Sequence, residues 1–177
     1  MATKIIGLDL GSHSVKCCEL VTTFRNLELV GFDFEPVQYA GDEQATYEDM
    51  AQAAYTLLER RGILGETIIC ALPSGMASTM VLELPFDQPK KLEAVLPFQL
   101  EETLPVNVED LIYDYQVIGR NEDGGSKILV AYARRTDMAA LLEALEQAGL
   151  DPKQITVGPL AMSKLHAHLS QLSTAST

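Results

Sequence analysis

Positive charge is scarce in this chain of 177 residues: 13 Lys and Arg stand against 25 Asp and Glu, a formal net charge of −12. With a pI near 4.6, a broad phosphate-neutralising surface built from clustered cations is excluded, and with it general nucleic-acid binding. A local anion pocket is not. Glycine (12) and proline (8) are too few for long disorder or a fibrous repeat. Long apolar runs are missing too, because Lys16, Glu28, Glu59 and Glu83 interrupt the hydrophobic stretches before they reach the ~20 residues that cross a bilayer. The first nine residues hold one cation and few apolar residues before Asp9, so a signal peptide is not expected and the cytoplasm is. Cysteine is limited to Cys17, Cys18 and Cys70, with no CxxC and no Cys/His ligand spacing. Buried, inert thiols are the expectation, with Cys17 and Cys18 on opposite faces of a strand.

What is present is a soluble-protein balance of 47% hydrophobic and 21% charged residues, enough for one sizeable domain or two small ones. Three strands in quick succession are predicted over residues 4–10, 15–22 and 27–36, separated by Gly11-Ser12-His13-Ser14 and Thr23-Phe24-Arg25-Asn26. Apolar residues at helical spacing from Tyr47 to Leu58 predict an amphipathic helix from Asp42 or Glu43 to Arg61, with Gly62 closing it. A buried fourth strand follows over 67–72.

The middle of the chain reads strand (80–85), helix (88–104), and a hairpin of 111–118 with 128–134 around Asn121-Glu122-Asp123-Gly124-Gly125. Pro97 inside that helix removes a donor and clashes one turn back, at about 3 kcal/mol, so a kink or two shorter helices are expected. A helix from Thr136 as N-cap to Gln147, a short strand over 154–157 and a last helix over 160–172 complete the chain, before a Ser/Thr/Ala tail expected to fray. No Gly-, Pro- or Ser-rich linker sets the middle apart, so it reads as an insertion: residues 1–77 and 152–177 form a parent domain and 78–151 an inserted one.

The chemically informative stretch is Ile5 to Lys16. A strand ends in Asp9, turns over small residues and re-enters a strand carrying Lys16. Gly11 lets backbone approach an anion, Ser12 and Ser14 add hydroxyls, Lys16 can counter phosphate charge, and Asp9 can orient a water on Mg²⁺. It is no Walker loop, since GxxxxGK[ST] is absent and the turn leads to a strand. The same residues also suit an ordinary hairpin with a solvated lysine. His13 reads as solvated rather than as a phosphate contact. His166 and His168, two apart on a helix, lie on different faces and suit no shared metal. Glu101, Glu102, Glu109 and Asp110 read as a solvated acidic face, or one for a basic partner, and no Ser-His-Asp or Cys-His order is recognisable.

Taken in order, GLDLGSHSVKCCEL (7–20), ALPSGMASTMVLELP (71–85), LPFQLEETLPVNVEDLIYDYQVIG (96–119), KILVAYARR (127–135) and ITVGPLAMSKL (155–165) cover nearly the whole chain. The order resembles subdomain IA of the actin-like ATPase superfamily, an α/β fold of ribonuclease H-like type, whose first hairpin is the phosphate-1 loop. A strand-helix-strand-strand (SHS2) insert after the fourth strand is similar to FtsA, and most of all to the PilM family of type IV pilus assembly and the related GspL cytoplasmic domain of type II secretion. The resemblance implies ATP and Mg²⁺ as cofactors of the intact protein. It places Asp9 at the Mg²⁺-water position, Gly11, Ser12, His13 and Ser14 in the phosphate-contacting turn, and Lys16 as counter-charge. It further implies a scaffold at the bacterial inner membrane that binds the cytoplasmic tail of a PilN-like protein, with an assembly ATPase and self-association as further contacts. The alternative is an ATP-hydrolysing or sugar-kinase-like enzyme. Family members continue into a second lobe that residues after Leu172 are too few to make, and Thr156-Val157-Gly158-Pro159 stands where relatives often carry an acid. The chain is therefore expected to be the first half of a longer protein, binding nucleotide weakly if at all, since useful sites enclose ~70–90% of their ligand.

Overall fold

The computed structural model describes residues 3–24, 26–39 and 44–175. They fall into two compact units, Met1–Ser74 with Ala140–Thr177, and Gly75–Ala139. Where sequence reading places the insert at 78–151, the division comes at residues 75 and 139, the second boundary lying inside a helix.

The first unit starts as a meander. β1 (Thr3–Leu10) and β2 (Ser14–Thr22) form a tight hairpin, and β3 (Leu27–Pro36) returns along β2. Helix α1 (Tyr47–Arg61) leads to β4 (Thr67–Ala71), which lies parallel to β1. Strand β8 (Pro152–Thr156), far along the chain, pairs parallel with β4 and completes the order β3-β2-β1-β4-β8. Alternation of side chains across the strands sends Ile6, Leu8 and Leu10 of β1 and Val15 and Cys17 of β2 into the core. Helix α1 packs on these strands with Met50, Ala54, Leu57 and Leu58 buried. On the same face Glu19 is nearly buried between Lys4, 2.9 Å away, and Arg61, 3.3 Å away.

The start of α1 differs from expectation. Thr46 is its N-cap, accepting from the Asp49 N–H while the Asp49 carboxylate accepts from the Thr46 N–H. Of the predicted start, Asp42 and Glu43 lie outside the described residues. Gly62 ends α1 at φ 66°, and Gly149 ends α3 (Arg135–Gln147) at φ 76°. Both donate back to the last turn, as left-handed C-terminal glycines do. Helix α3 begins at Arg135 rather than after a Thr136 cap. The final helix α4 (Gly158–Ala175) runs past Leu172, and Thr177 of the tail lies outside the described residues.

The second unit is a strand-helix-strand-strand module. β5 (Ala77–Leu84), α2 (Pro89–Thr103), a short 3-10 turn (Val108–Asp110), β6 (Leu111–Arg120) and β7 (Ser126–Arg134) follow in order, and the antiparallel sheet runs β5-β7-β6. Leu92, Leu96 and Leu100, four residues apart, form one buried stripe of α2 and pack with Leu84, Ile128 and Val130. This stripe explains why Pro97 does not split the helix into two. Pro97 and Glu93, whose carbonyl loses its helical partner to the ring, lie off this stripe, and Glu93 is exposed. The hydrophobic packing of three leucines outweighs the local cost of the proline.

Candidate functional site

The β1-β2 turn lies at the carboxyl ends of the parallel strands. Asp9 is paired in register with Ala71 of β4, and the next residue, Leu72, donates its N–H to the Thr156 carbonyl at 2.9 Å. The ends of β1, β4 and β8 therefore lie side by side, the edge of an open α/β sheet where ligands commonly sit. Across the hairpin Asp9 faces Lys16 and Leu10 faces Val15. The buried pair Leu10 and Val15 anchors the turn, leaving Gly11, Ser12 and His13 to bridge the strands. The Val37 N–H donates to the His13 carbonyl at 3.0 Å, tying the turn to the end of β3.

Lys16 Nζ stands 3.5 Å from Asp9 Oδ2 and 3.2 Å from the Ser14 carbonyl. Both charged side chains are about half exposed, 53% for Asp9 and 54% for Lys16. Ser12 Oγ is 3.1 Å from His13 Nδ1, and both residues are exposed. A Cβ on Gly11 would stand 2.6 Å from the Ser14 carbonyl oxygen and 3.2 Å from Lys16 Nζ, so the turn admits no side chain there. All six residues singled out in the sequence thus gather at one hairpin. Their chemistry, a carboxylate, an ammonium and two hydroxyls on an open turn, suits a Mg²⁺-phosphate group. Directly behind it Cys70 is fully buried, and burial, with the Asp9 charge second, pushes its thiol up to about 12. Cys17 is also buried and its thiol raised by burial, while Cys18 on the opposite face is partly exposed.

The other sequence candidates belong to other elements. Glu101 and Asp110 border one open depression of the second unit with Leu104, Pro105, Val106 and Asn107, and both are exposed. His166 and His168 are exposed on α4. Among the described residues no group of three His, Cys, Asp or Glu side chains could hold a metal, and no helix is long and apolar enough to cross a membrane.

Two arginines escaped sequence reading. Arg135 donates through Nε to the Glu109 carbonyl at 3.0 Å and through Nη2 to the Leu111 carbonyl at 2.9 Å, fixing the start of β6. Its exposed neighbour Arg134 lines a cavity of about 410 Å³ with Gly75, Ser78, Leu104, Tyr132 and Asp137. The only signal was two adjacent cations at a strand-to-helix junction.

A family profile described as type IV pilus assembly protein PilM matches residues 7–176. The solved PilM-PilN type IV pilus biogenesis complex contains a chain similar over 94% of this one and 51% of its own length, at TM-score 0.77 and 23% identity. The cytoplasmic domain of EpsL, an inner-membrane component of the type II secretion system of Vibrio cholerae, is similar over 88% of this chain and 57% of its own, at TM-score 0.58 and 19% identity. The chain spans about half the length of these solved structures. At such identities the likeness establishes the fold, a mixed α/β, actin-like architecture carrying a strand-helix-strand-strand module. With the profile spanning nearly all of the sequence, the chain belongs to the PilM family of type IV pilus assembly proteins.

Proposed function

We propose that this protein is a scaffold of a bacterial pilus machine, holding at the cytoplasmic face of the inner membrane the tail of a PilN-like membrane partner. The observation that carries the reading is the match over 94% of the chain to a protein solved as a PilM-PilN complex. The second unit offers a suitable seat: the cavity beside Tyr132 and Ala133 joins apolar wall to the Arg134 guanidinium, so it can take both a side chain and a polar group of an extended tail.

The Asp9-Lys16 hairpin is proposed as half of an ATP site. MgATP bound there would supply a ligand whose phosphate charge Lys16 counters, with Asp9 holding a metal-bound water and the Ser12 and Ser14 hydroxyls contacting phosphate. Gly11 keeps the turn open to that ligand. The half-exposure of Asp9 and Lys16 means this hairpin alone encloses little of a nucleotide, and weak binding by this chain follows.

The deciding experiment is calorimetric titration of a synthetic PilN-like cytoplasmic tail into the chain, with MgATP titrated separately. Saturable tail binding, reduced by Arg134→Glu and unaltered by Asp9→Ala, is expected; no binding at high micromolar peptide overturns the scaffold reading. A type II secretion role is the second reading, favoured by the EpsL likeness at TM-score 0.58. Preference for the tail of a secretion partner over that of a pilus partner would select it.

A further inference from the structure

The two sheets end in four edge strands, β3 and β8 in one and β5 and β6 in the other. Edge strands present unpaired N–H and C=O groups and invite another strand unless something blunts them. Backbone pairing alternates along an antiparallel ladder, so one bond fixes which residues point outward. In β3 the Val37-His13 bond places the Phe34 N–H and C=O on the open edge. Both are occupied within the chain: the N–H donates to Asp33 Oδ1 at 2.8 Å, and the carbonyl accepts from Arg60 Nη2 at 2.9 Å. Arg60 is held there by Asp33, 3.1 Å away, and by Glu35. A bulge at Leu29 to Gly31 further breaks this edge.

Strand β6 repeats the device. The Leu111 carbonyl accepts from Arg135, and the Tyr115 N–H donates to Asp114 Oδ1 at 2.8 Å. β8 has five residues and starts with a proline. β5 is different. The bond from the Asn121 N–H to the Gly125 carbonyl sets the phase of the β6-β7 ladder, so the odd residues of β7 face β6 and its even residues face β5. Ser78, Met80, Leu82 and Leu84 therefore bond inward, and Ala77, Thr79, Val81 and Glu83 present their N–H and C=O groups outward. Eight residues long and without a bulge, β5 has no hydrogen bond on these outward groups among the described residues, and the side chains of Thr79, Val81 and Glu83 are exposed.

We infer that β5 is a self-association edge, pairing antiparallel with β5 of a second copy about a two-fold at Val81. That register sets Val81 against Val81 of the second copy and Thr79 against Glu83, with Met80 beside Leu82 on the face that carries α2. No acid opposes an acid, and the single charge on the strand, Glu83, is already 3.6 Å from Lys127 of its own chain. Both strands are ordered before they meet, so pairing orders no new segment, unlike capture of a loose peptide. The result is a six-stranded sheet. A lone strand pairing buries less than a standard interface, so the dimer is weak, populated at protein concentrations of about 100 μM. Each copy carries −12, so added salt strengthens it.

Sedimentation velocity of the full chain over a concentration series, at low and high salt, tests this. A monomer-dimer equilibrium that tightens with salt is expected. Val81→Pro removes only an outward N–H and leaves the internal ladder intact, and it is expected to raise the dissociation constant about tenfold or more. Val81→Lys, on the exposed face, sets two cations against each other and is expected to do the same while preserving the fold, which guards against misfolding of the proline variant. A monomer throughout, a dimer indifferent to both substitutions, or one that weakens with salt as a peptide-like or ion-paired contact would, overturns the proposal.

Discussion

Asp9 and Lys16 are direct cross-strand partners, and the lysine ammonium lies nearer the Ser14 carbonyl, at 3.2 Å, than the aspartate, at 3.5 Å. The lysine is thus shared between a carboxylate and a backbone acceptor on an open turn, and neither bond is buried. Half-exposed pairs of this kind are worth about 0–1 kcal/mol.

Asp9→Ala and Lys16→Ala are therefore expected to leave stability within about 1 kcal/mol of wild type in a urea melt. Any MgATP-dependent thermal shift, measured on the longest form of the protein that shows one, is expected to disappear in both. Loss of several kcal/mol would make the pair structural.

Acid sensitivity is expected to centre on Glu19. The hydrogen bond from Lys4, with Arg61 adding its charge, holds the Glu19 carboxyl below the usual carboxylate range, and the Phe34 N–H, helped by Arg60, does the same for Asp33. The folded state keeps these groups ionised where the unfolded chain binds protons. Their stabilisation is complete above the ordinary carboxylate value and is lost as pH falls through the depressed folded values. Urea midpoints are expected to drop between about pH 5 and pH 3, and the slope to flatten in Glu19→Gln. An unchanged slope would assign acid unfolding to other groups.

Leu96 lies at the centre of the α2 stripe with 1% exposure. Leu96→Ala is expected to cost about 2–5 kcal/mol by opening a cavity against Ile128 and Val130. The same truncation at Phe98, 68% exposed on the same helix, is expected to cost less than about 0.5 kcal/mol. Paired denaturation curves check the contrast.

Thiol chemistry is expected to separate the three cysteines. Cys70 and Cys17 are buried with raised thiol pKa values, whereas Cys18 is partly exposed. In the native protein one thiol per chain is expected to react readily with an aromatic disulfide reagent near neutral pH, and Cys18→Ser to abolish that phase. Rapid reaction of two or three thiols would mean the core opens easily.

Much of the fold is written locally. The period-2 alternation in residues 4–36 defines the meander, and Gly62 and Gly149 mark their helix ends because each takes up a left-handed conformation. The six hairpin residues are contiguous, so their clustering follows from one tight turn. Errors came where a local rule met a non-local force. Pro97 weighs against a continuous helix until Leu92, Leu96 and Leu100 are seen to share one buried face. The Thr46-Asp49 box is inconspicuous in the sequence because Asp replaces the usual Glu or Gln at its third position. The acceptors of Arg60 and Arg135 are not legible in the sequence, since Phe34 and Leu111 lie 26 and 24 residues away and the role of each arginine depends on which strands are outermost.

The pairing of β8 with β4 carries a consequence for biosynthesis. The five-stranded sheet takes its last strand from residues 152–156, after the whole strand-helix-strand-strand module has been made. On the ribosome the module, contiguous in sequence, can close before β8 emerges, while the sheet waits as four strands with the β4 edge bare. During that interval β4, with its Ile68, Ile69 and Cys70, is an apolar strand whose edge a chaperone would have to shield.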